Sequence, residues 1–177
     1  LGVDTHPIRI TVHGSRIALT GDTEYPDNMM VAHQYADDKV LLYEDRSWTP
    51  YGLHGIDNGN AFYGTEGYMI FTRRGHFQVY LGQKEEKGPG MRGGTRGYEQ
   101  HMKNFLDCVR SREQTVANAE VAHPSCALAH LGQIAYELGR VLHFDPESEQ
   151  FPGDTEANAL LTKEYREPWI VPDPNPR

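Results

Sequence analysis

Apolar residues recur at steps of three and four in the last third of the chain, after Pro124. Because an α-helix turns once in about 3.6 residues, this spacing places the apolar side chains on one face of a helix. The stripe consists of Leu128, Leu131, Ala135, Leu138 and Leu142, widened by Ile134 and Val141. We therefore predict an amphipathic helix that has Pro124 in its first turn, stops at Asp145-Pro146 and packs against a sheet.

Earlier segments alternate between apolar and polar residues, which is typical of half-buried β-strands. Residues 8–14 show this alternation, with Ile8, Ile10 and Val12 on one side of the predicted strand. Two hairpins are predicted where apolar runs flank short polar turns, one from residues 29–36 and 39–45 and the other from residues 67–72 and 76–81.

The order of the elements, with strands first and helices last, predicts an α+β fold class. Residues 84–97 are expected to form a flexible, glycine-rich connection, and residues 98–112 a helix. We expect an open, mostly antiparallel or mixed β-sheet with helices packed on one face. One domain is predicted over residues 1–172, followed by an extended proline-rich tail at residues 173–177.

Two glycines interrupt the long amphipathic helix and fall on one of its faces, Gly132 and Gly139. Each costs about 1 kcal/mol of helix propensity relative to alanine. We therefore expect a neighbouring backbone to exclude a side chain at these positions.

Composition and charge narrow the classes of partner. The chain has 177 residues, of which 38% are hydrophobic, and a formal net charge of −8. An acidic surface argues against nucleic acid or anionic membranes as the main partner, since both favour basic proteins. No apolar run reaches the roughly 18–20 residues that would span a bilayer. The sequence shows no signal peptide, so the cytoplasm is the default expectation, with an export signal upstream of Leu1 left open.

One glycine motif invites a dinucleotide-binding interpretation, because Gly88 to Gly93 matches G-x-G-x-x-G. In a dinucleotide-binding domain this motif turns directly from a buried strand into a helix. Here the charged residues Lys84 to Lys87 separate the preceding strand from the glycines. We therefore predict a loop, and no cofactor-binding residues in this chain.

The nine histidines raise the question of a metal site. None of them forms the H-E-x-x-H spacing of a helical zinc site. His123 and His130 are two helical turns apart, and a loop pair such as His54 with Asp57 is the remaining option. Scattered surface and packing histidines explain the surplus more simply, so we predict no metal ligands.

Candidates for substrate binding combine cations, aromatic rings and predicted loops. They are Arg46, Trp48, Arg92, Arg96, Tyr98 and His101. Aromatic rings offer stacking surface to a polyhydroxylated ligand, and guanidinium groups suit a carboxylate or a phosphate. The alternative is that Trp48 packs in the core and that the arginines are only solvated.

Several segments resemble the C-terminal part of bacterial oxidoreductases of the Gfo/Idh/MocA family. They are L-A-H-L-G-Q-I-A-Y-E-L-G-R at 128–140, F-D-P-E-S-E-Q-F-P-G-D-T-E-A-N-A-L-L at 144–161 and Y-R-E-P-W-I-V-P at 165–172. The segments G-N-A-F-Y-G-T-E-G-Y at 59–68 and H-M-K-N-F-L-D-C-V-R-S-R at 101–112 resemble the same family and fall in the same order. The resemblance covers nearly the whole chain.

The resemblance implies the C-terminal domain of a two-domain enzyme that transfers hydride between NAD or NADP and a sugar, cyclitol or similar substrate. In that family the first domain holds the cofactor, and the second supplies a wall of the substrate cleft and an oligomer interface. The family's catalytic Lys lies in an E-K-P motif and its catalytic Asp and His in a D-x-x-x-H motif. This sequence contains neither motif. We therefore expect it to begin downstream of the catalytic residues, to be inert alone and to form a homo-oligomer through its sheet face.

Two alternatives stay open at this point. The chain can be a standalone binding or scaffold module for a small molecule such as a sugar, without a cofactor domain. It can also be a metal-dependent lyase or hydrolase that uses the histidines. The first predicts sugar binding that does not depend on nicotinamide, and the second predicts stoichiometric metal and inactivation by a chelator.

Overall fold

The computed structural model describes residues 2–94 and 97–171, and these form two compact units. One unit is built mainly from residues 46–122, and the other from residues 3–45 and from residue 123 onward. The predicted tail at residues 173–177 lies outside the described residues.

Four strands make a sheet in the unit that contains residues 3–45. They are β1 (Arg9–Ser15), β2 (Asn28–Gln34), β3 (Val40–Arg46) and the short β8 (Leu142–His143), in the order β3-β2-β1-β8. Strand β1 runs antiparallel to β2, with Val12 opposite Val31, and antiparallel to β8, with Ile10 opposite Leu142. The first predicted hairpin is therefore confirmed, and its turn is closed by a 2.9 Å hydrogen bond from the Tyr35 amide to the Lys39 carbonyl.

The long helix α2 (Ala119–Leu138) supplies the other half of this unit's core. Its buried residues Leu131, Gly132, Ile134 and Ala135 join core residues of the strands and of the C-terminal segment. The fully buried side chains of this core include Ile10, Val31, Leu131, Leu142 and Phe151. A short helix, α3 (Thr155–Ala159), begins after Asp154, whose carboxylate accepts a 3.0 Å hydrogen bond from the Ala157 amide. The sequence correctly predicts that the apolar stripe packs against a sheet.

The boundaries of α2 differ from the prediction at both ends. The helix begins before Pro124, which lies inside it, and ends at Leu138. Gly139 follows with φ of +64°, and its amide donates to the Ala135 carbonyl at 2.9 Å. Left-handed glycine at this place ends helices commonly, because it has no Cβ to clash. Leu142, predicted as the last residue of the helical stripe, is instead a strand residue of β8.

The second sheet belongs to the unit of residues 46–122. It contains β4 (Gly59–Tyr63), β5 (Gly67–Thr72), β6 (Phe77–Leu81) and β7 (Glu86–Met91) in sequential order, all antiparallel. The second predicted hairpin, β5 with β6, is confirmed. The prediction of a flexible connection is wrong for β7, because this segment pairs with β6 in spite of its glycines and proline. Helix α1 (Tyr98–Ser111) follows in the same unit.

The predicted α+β class with open antiparallel sheets is confirmed, although the strands divide into two four-stranded sheets instead of one. None of the helices within residues 2–94 and 97–171 combines the length and the apolar character needed to cross a bilayer.

Candidate functional site

A cavity of about 440 Å³ lies at one end of the second sheet. Its lining comes from the loop before β4, the turn between β5 and β6 and the residues after β7. The lining residues are Gly55, Ile56, Asp57, Asn58, Thr72, Arg73, Arg74, His76, Gly93 and Gly94. Three segments that are distant in sequence therefore meet, within one unit, around a concave surface of mixed polar and apolar character.

The turn between β5 and β6 positions the cationic residues of this cavity. The Thr72 amide donates to the His76 carbonyl at 2.9 Å, and the Gly75 amide donates to the Thr72 carbonyl at 3.0 Å. Gly75 has φ of +73°, a conformation that glycine adopts without steric cost. The Arg74 amide donates to the Thr72 hydroxyl at 3.3 Å. The turn is therefore well braced, and it holds two arginines at the cavity.

The side chains of the cavity offer both donors and acceptors to a ligand. Arg73 and Asp57 form an exposed ion pair with 3.7 Å between Nη2 and Oδ2. Arg74, His76 and Asn58 add a second guanidinium group, an imidazole and an amide. Guanidinium forks bind carboxylates in a bidentate way, and a mixture of donors and acceptors matches the hydroxyl groups of a polyol. The cavity can therefore hold a small polyhydroxylated or carboxylated molecule.

The substrate-binding candidates predicted from sequence lie in the same unit but not around this cavity. Arg46 ends β3 half-buried, Trp48 is 45% exposed, and Arg92 is exposed after β7. Tyr98 and His101 lie in the first turn of α1, both exposed. Arg96 lies outside the described residues. None of the described candidates lines the cavity, and their role in substrate binding stays a prediction.

Arg73 and Arg74 lie between the two arms of the second predicted hairpin. The feature of the sequence that could have indicated this site is the pair of adjacent arginines followed by glycine at the hairpin tip. That feature does not show which other loops face the turn. These loops come from residues 55–58 and 93–94, which are distant from the turn in sequence.

A ladder of tyrosine rings crosses the same sheet. Tyr63, Tyr68 and Tyr80 lie opposite one another on β4, β5 and β6. The ring centroids are 5.7 Å apart for Tyr63 and Tyr68, and 4.9 Å apart for Tyr68 and Tyr80. His54 lies over Tyr68 at 5.4 Å, and its Nε2 is 3.1 Å from the Tyr63 hydroxyl. Partial desolvation and the nearby Glu85 carboxylate raise the pKa of Tyr68, so its hydroxyl keeps its proton at neutral pH.

A third cluster lies in the other unit, where two imidazoles share one carboxylate. His6 Nε2 is 2.9 Å and His123 Nε2 is 2.8 Å from Glu149 Oε1. The His6 and His123 rings also meet edge to face, with 5.4 Å between their centroids. Hydrogen bonds from His123 and His6 lower the pKa of Glu149, which keeps it ionised. No local spacing pattern in the sequence indicates this group, because His6 and Glu149 are 143 residues apart.

The sequence matches a family model over residues 95–171, and that model describes the oxidoreductase family, C-terminal alpha/beta domain. A comparison with curated proteins gives no match.

Solved oxidoreductases share this fold at low sequence identity. The aldose-aldose oxidoreductase from Caulobacter crescentus, solved with glycerol, is 10% identical, with a TM-score of 0.61 over 79% of this chain and 42% of its own. An oxidoreductase from Agrobacterium radiobacter, solved with NAD⁺, L-tartaric acid and magnesium, is 12% identical, with a TM-score of 0.56 over 78% of this chain and 43% of its own. An oxidoreductase from Bacillus cereus is 10% identical, with a TM-score of 0.57 over 79% of this chain and 47% of its own. The chain therefore spans less than half the length of these structures.

Proposed function

Since residues 95–171 belong to the C-terminal α/β domain of the Gfo/Idh/MocA oxidoreductases, we propose that the chain is the substrate-binding and oligomerisation domain of an NAD(P)-dependent oxidoreductase. The family match is the observation that carries this proposal. Both compact units together form the domain, over residues 1–172. Its substrate is a sugar, a cyclitol or a similar polyol or carbonyl compound.

In this proposal a further domain holds the nicotinamide and the catalytic acid and base. Hydride transfer needs the nicotinamide within reach of the substrate carbon, together with a positioned proton donor or acceptor. The matched part of this chain covers 42%, 43% and 47% of the three solved structures described above, and the Agrobacterium relative contains NAD⁺. This chain alone is then expected to be catalytically inert and to contribute a wall of the substrate cleft.

The coding DNA upstream of Leu1 tests the oxidoreductase proposal directly. An open reading frame with a strand, a G-x-G-x-x-G turn, a helix and an E-K-P motif would support the proposal. A start codon close to Leu1 would contradict it. The leading function would then be a standalone sugar-binding or scaffold module, for which the tyrosine ladder, with Tyr63 exposed and Tyr68 and Tyr80 half-buried, offers a stacking surface.

Our candidate for the substrate subsite is the cavity at the end of the second sheet, which we call the cation-lined cavity because Arg73 and Arg74 line it. Its two arginines and its mixed donors and acceptors suit the polar ligands found in the relatives, glycerol and L-tartaric acid. We predict that Arg74→Ala weakens binding of L-tartrate to this chain by about tenfold or more, since a hydrogen bond to a charged group contributes about 1.5–3 kcal/mol. Titration followed by NMR chemical shifts measures the two dissociation constants.

The matched control for this prediction is Arg110→Ala. Arg110 lies in α1 of the same unit, is paired with Asp107 and does not line the cavity. The control removes the same charge and is expected to bind L-tartrate as the unchanged chain does. Equal weakening in both variants would show a nonspecific charge effect and would contradict the subsite.

The second sheet has an apolar face that suits an oligomer interface. Neighbours in the strand register share a face, so the pairs Phe62–Met69, Met69–Val79 and Phe71–Phe77 lie together. Phe62 and Phe71 are each 40% exposed, Leu81 is 44% exposed and Met91 is 47% exposed. Exposed apolar surfaces of this kind are found at interaction sites more often than on faces that contact only solvent. We propose that a second copy of the chain covers this face.

Introducing a charge on this face is predicted to dissociate the oligomer. Phe71→Lys would place an ammonium group on the proposed interface, where burying an unpaired charge is strongly unfavourable. Sedimentation equilibrium should then show a monomer. The control is Leu42→Lys on β3, because Leu42 is 77% exposed on the first sheet. Dissociation by Leu42→Lys but not by Phe71→Lys would assign the interface to the other sheet and contradict the proposal.

A further inference from the structure

We propose that His6, His123 and Glu149 form a binding site for a divalent transition-metal ion, with Zn²⁺ as the best fit. One ligand atom from each of these residues lies within 4.8 Å of the ligand atoms of the other two. The site lies in the unit that does not contain the cation-lined cavity. Evidence against this metal site would therefore not contradict the oxidoreductase proposal, and evidence against the oxidoreductase proposal would not contradict this site.

Two of the three distances between the ligand atoms are close to those around a bound zinc ion. Zinc binds imidazole nitrogen at about 2.0–2.1 Å and carboxylate oxygen at about 2.0–2.2 Å in tetrahedral geometry, which separates neighbouring ligands by about 3.3 Å. In the structure His6 Nε2 and His123 Nε2 are 2.9 Å and 2.8 Å from Glu149 Oε1. Outward shifts of about half an ångström would make room for the ion.

The fold brings the three ligands from three different elements. His6 precedes β1, its side chain is only 8% exposed, and its ring packs edge to face on Phe144 at 5.7 Å. His123 projects from α2, and Glu149 comes from the turn between β8 and α3. Two of the three ligand positions are therefore fixed by a core contact or by a helix.

The turn that carries Glu149 adds a second observation in favour of a site. Glu149 has φ of +52°, a left-handed conformation that is uncommon for a residue other than glycine, asparagine or aspartate. The Asp145 amide donates to the Gln150 carbonyl at 2.8 Å and closes the turn around it. Backbone conformations of this kind cost free energy and cluster where a side chain has a specific task. Here the task of the turn is to direct the Glu149 carboxylate between the two imidazoles.

The type of ligand selects the metal. Two imidazoles and one carboxylate suit zinc and other late first-row divalent ions, whereas calcium and magnesium prefer sets of oxygen ligands. The side chains of His123 and Glu149 are 58% and 46% exposed, so water can approach and occupy the fourth position. The site would then have the three protein ligands and one open position that are typical of exchangeable zinc sites.

The protonation of the histidines sets the expected affinity. A carboxylate oxygen only accepts hydrogen bonds, so each Nε2 carries a proton when no metal is bound. Metal binding moves that proton of a neutral imidazole to Nδ1. Within the part of the chain that the structure describes, the buried Nδ1 of His6 has no hydrogen-bond partner. Missing outer partners typically cost about 10–100-fold in metal affinity, so we expect micromolar rather than nanomolar binding.

Thermal unfolding of the whole chain with ZnCl₂ tests the site. At a hundredfold excess of Zn²⁺ over the dissociation constant, the melting temperature should rise by about 5–10 °C. Co²⁺ should give the visible absorption of a tetrahedral complex, which Zn²⁺ then displaces. His123→Ala removes an exposed ligand without creating a cavity in the core. It should abolish both the rise in melting temperature with Zn²⁺ and the visible absorption with Co²⁺.

Two control variants separate this site from adventitious binding on α2. His130→Ala removes another exposed histidine of the same helix, and Cys126→Ser removes an exposed thiol that lies one helical turn from His123. Both variants should respond to Zn²⁺ and Co²⁺ as the unchanged chain does. A response that survives His123→Ala, or that disappears with Cys126→Ser, would overturn the proposed site, as would the absence of any response in the unchanged chain.

Discussion

Replacing Phe151 by alanine is expected to lower the free energy of unfolding by about 3–5 kcal/mol. The Phe151 side chain is 0% exposed and packs edge to face on Phe144, with 5.1 Å between the ring centroids. Alanine would leave a cavity where the ring lies, and the surrounding strands and helix can close it only partly. Because small domains are stable by only about 5–15 kcal/mol, this loss should be visible as a large drop in melting temperature.

Urea unfolding followed by circular dichroism measures the change, and Phe105→Ala is the matched control. Phe105 lies on α1 and is 51% exposed, so removing its ring should cost much less. A loss of stability from Phe105→Ala as large as that from Phe151→Ala would contradict this assignment of the core.

Local sequence patterns predicted the elements whose formation depends mainly on one physical effect, the alternation of apolar and polar residues along a strand. The two hairpins could be predicted because alternating residues flank short polar turns, and β2–β3 and β5–β6 follow that pattern. Strand β7 could not, because Gly88-Pro89-Gly90 has the composition of a loop. Its pairing depends on β6, where Gln78 Nε2 donates to the Gly88 carbonyl at 3.0 Å. A neighbouring strand therefore overrides the local preference of the segment.

The candidate sites show a different limit of the sequence. The cavity needs the mutual position of three loops, and the His6–His123–Glu149 cluster needs a contact between residues at opposite ends of the chain. Spacing rules detect ligands that lie on one helix or in one turn, and neither site is of that kind. The candidates chosen from sequence were instead cations and aromatic rings that are neighbours along the chain, such as Arg92 and Tyr98.

The sequence predicts that a neighbour excludes a side chain at both glycines of the helix, Gly132 and Gly139, and the structure shows a neighbour at only one of them. Gly139 lies beyond the last helical residue with φ of +64°, and no heavy atom lies within 4 Å of the position a Cβ would take. Its role is therefore conformational. Gly132 does meet a neighbour, but that neighbour is the side chain of Val31 on β2 and not a backbone. Helical periodicity could place both glycines on one face, yet it could not show where the helix ends.

Replacing Gly132 by leucine is expected to destabilise the chain by about 3 kcal/mol through overpacking. A Cβ at this position would already lie 3.1 Å from Val31 Cγ2, and Val31 is itself 2% exposed. The further carbons of leucine would have to push α2 away from the sheet or force neighbouring side chains out of their preferred rotamers. Thermal and urea unfolding of the variant measure this cost.

Two companion variants separate overpacking from the general effect of replacing a glycine. Gly132→Ala should change stability little, because the gain in helix propensity of about 1 kcal/mol opposes the tight contact with Val31. Gly21→Leu makes the same large substitution at an exposed loop glycine that has nothing within 4 Å, so it should be close to neutral. If Gly132→Leu were as stable as Gly21→Leu, α2 would not approach β2 as closely as the structure shows, and the core of this unit would have to be assigned differently.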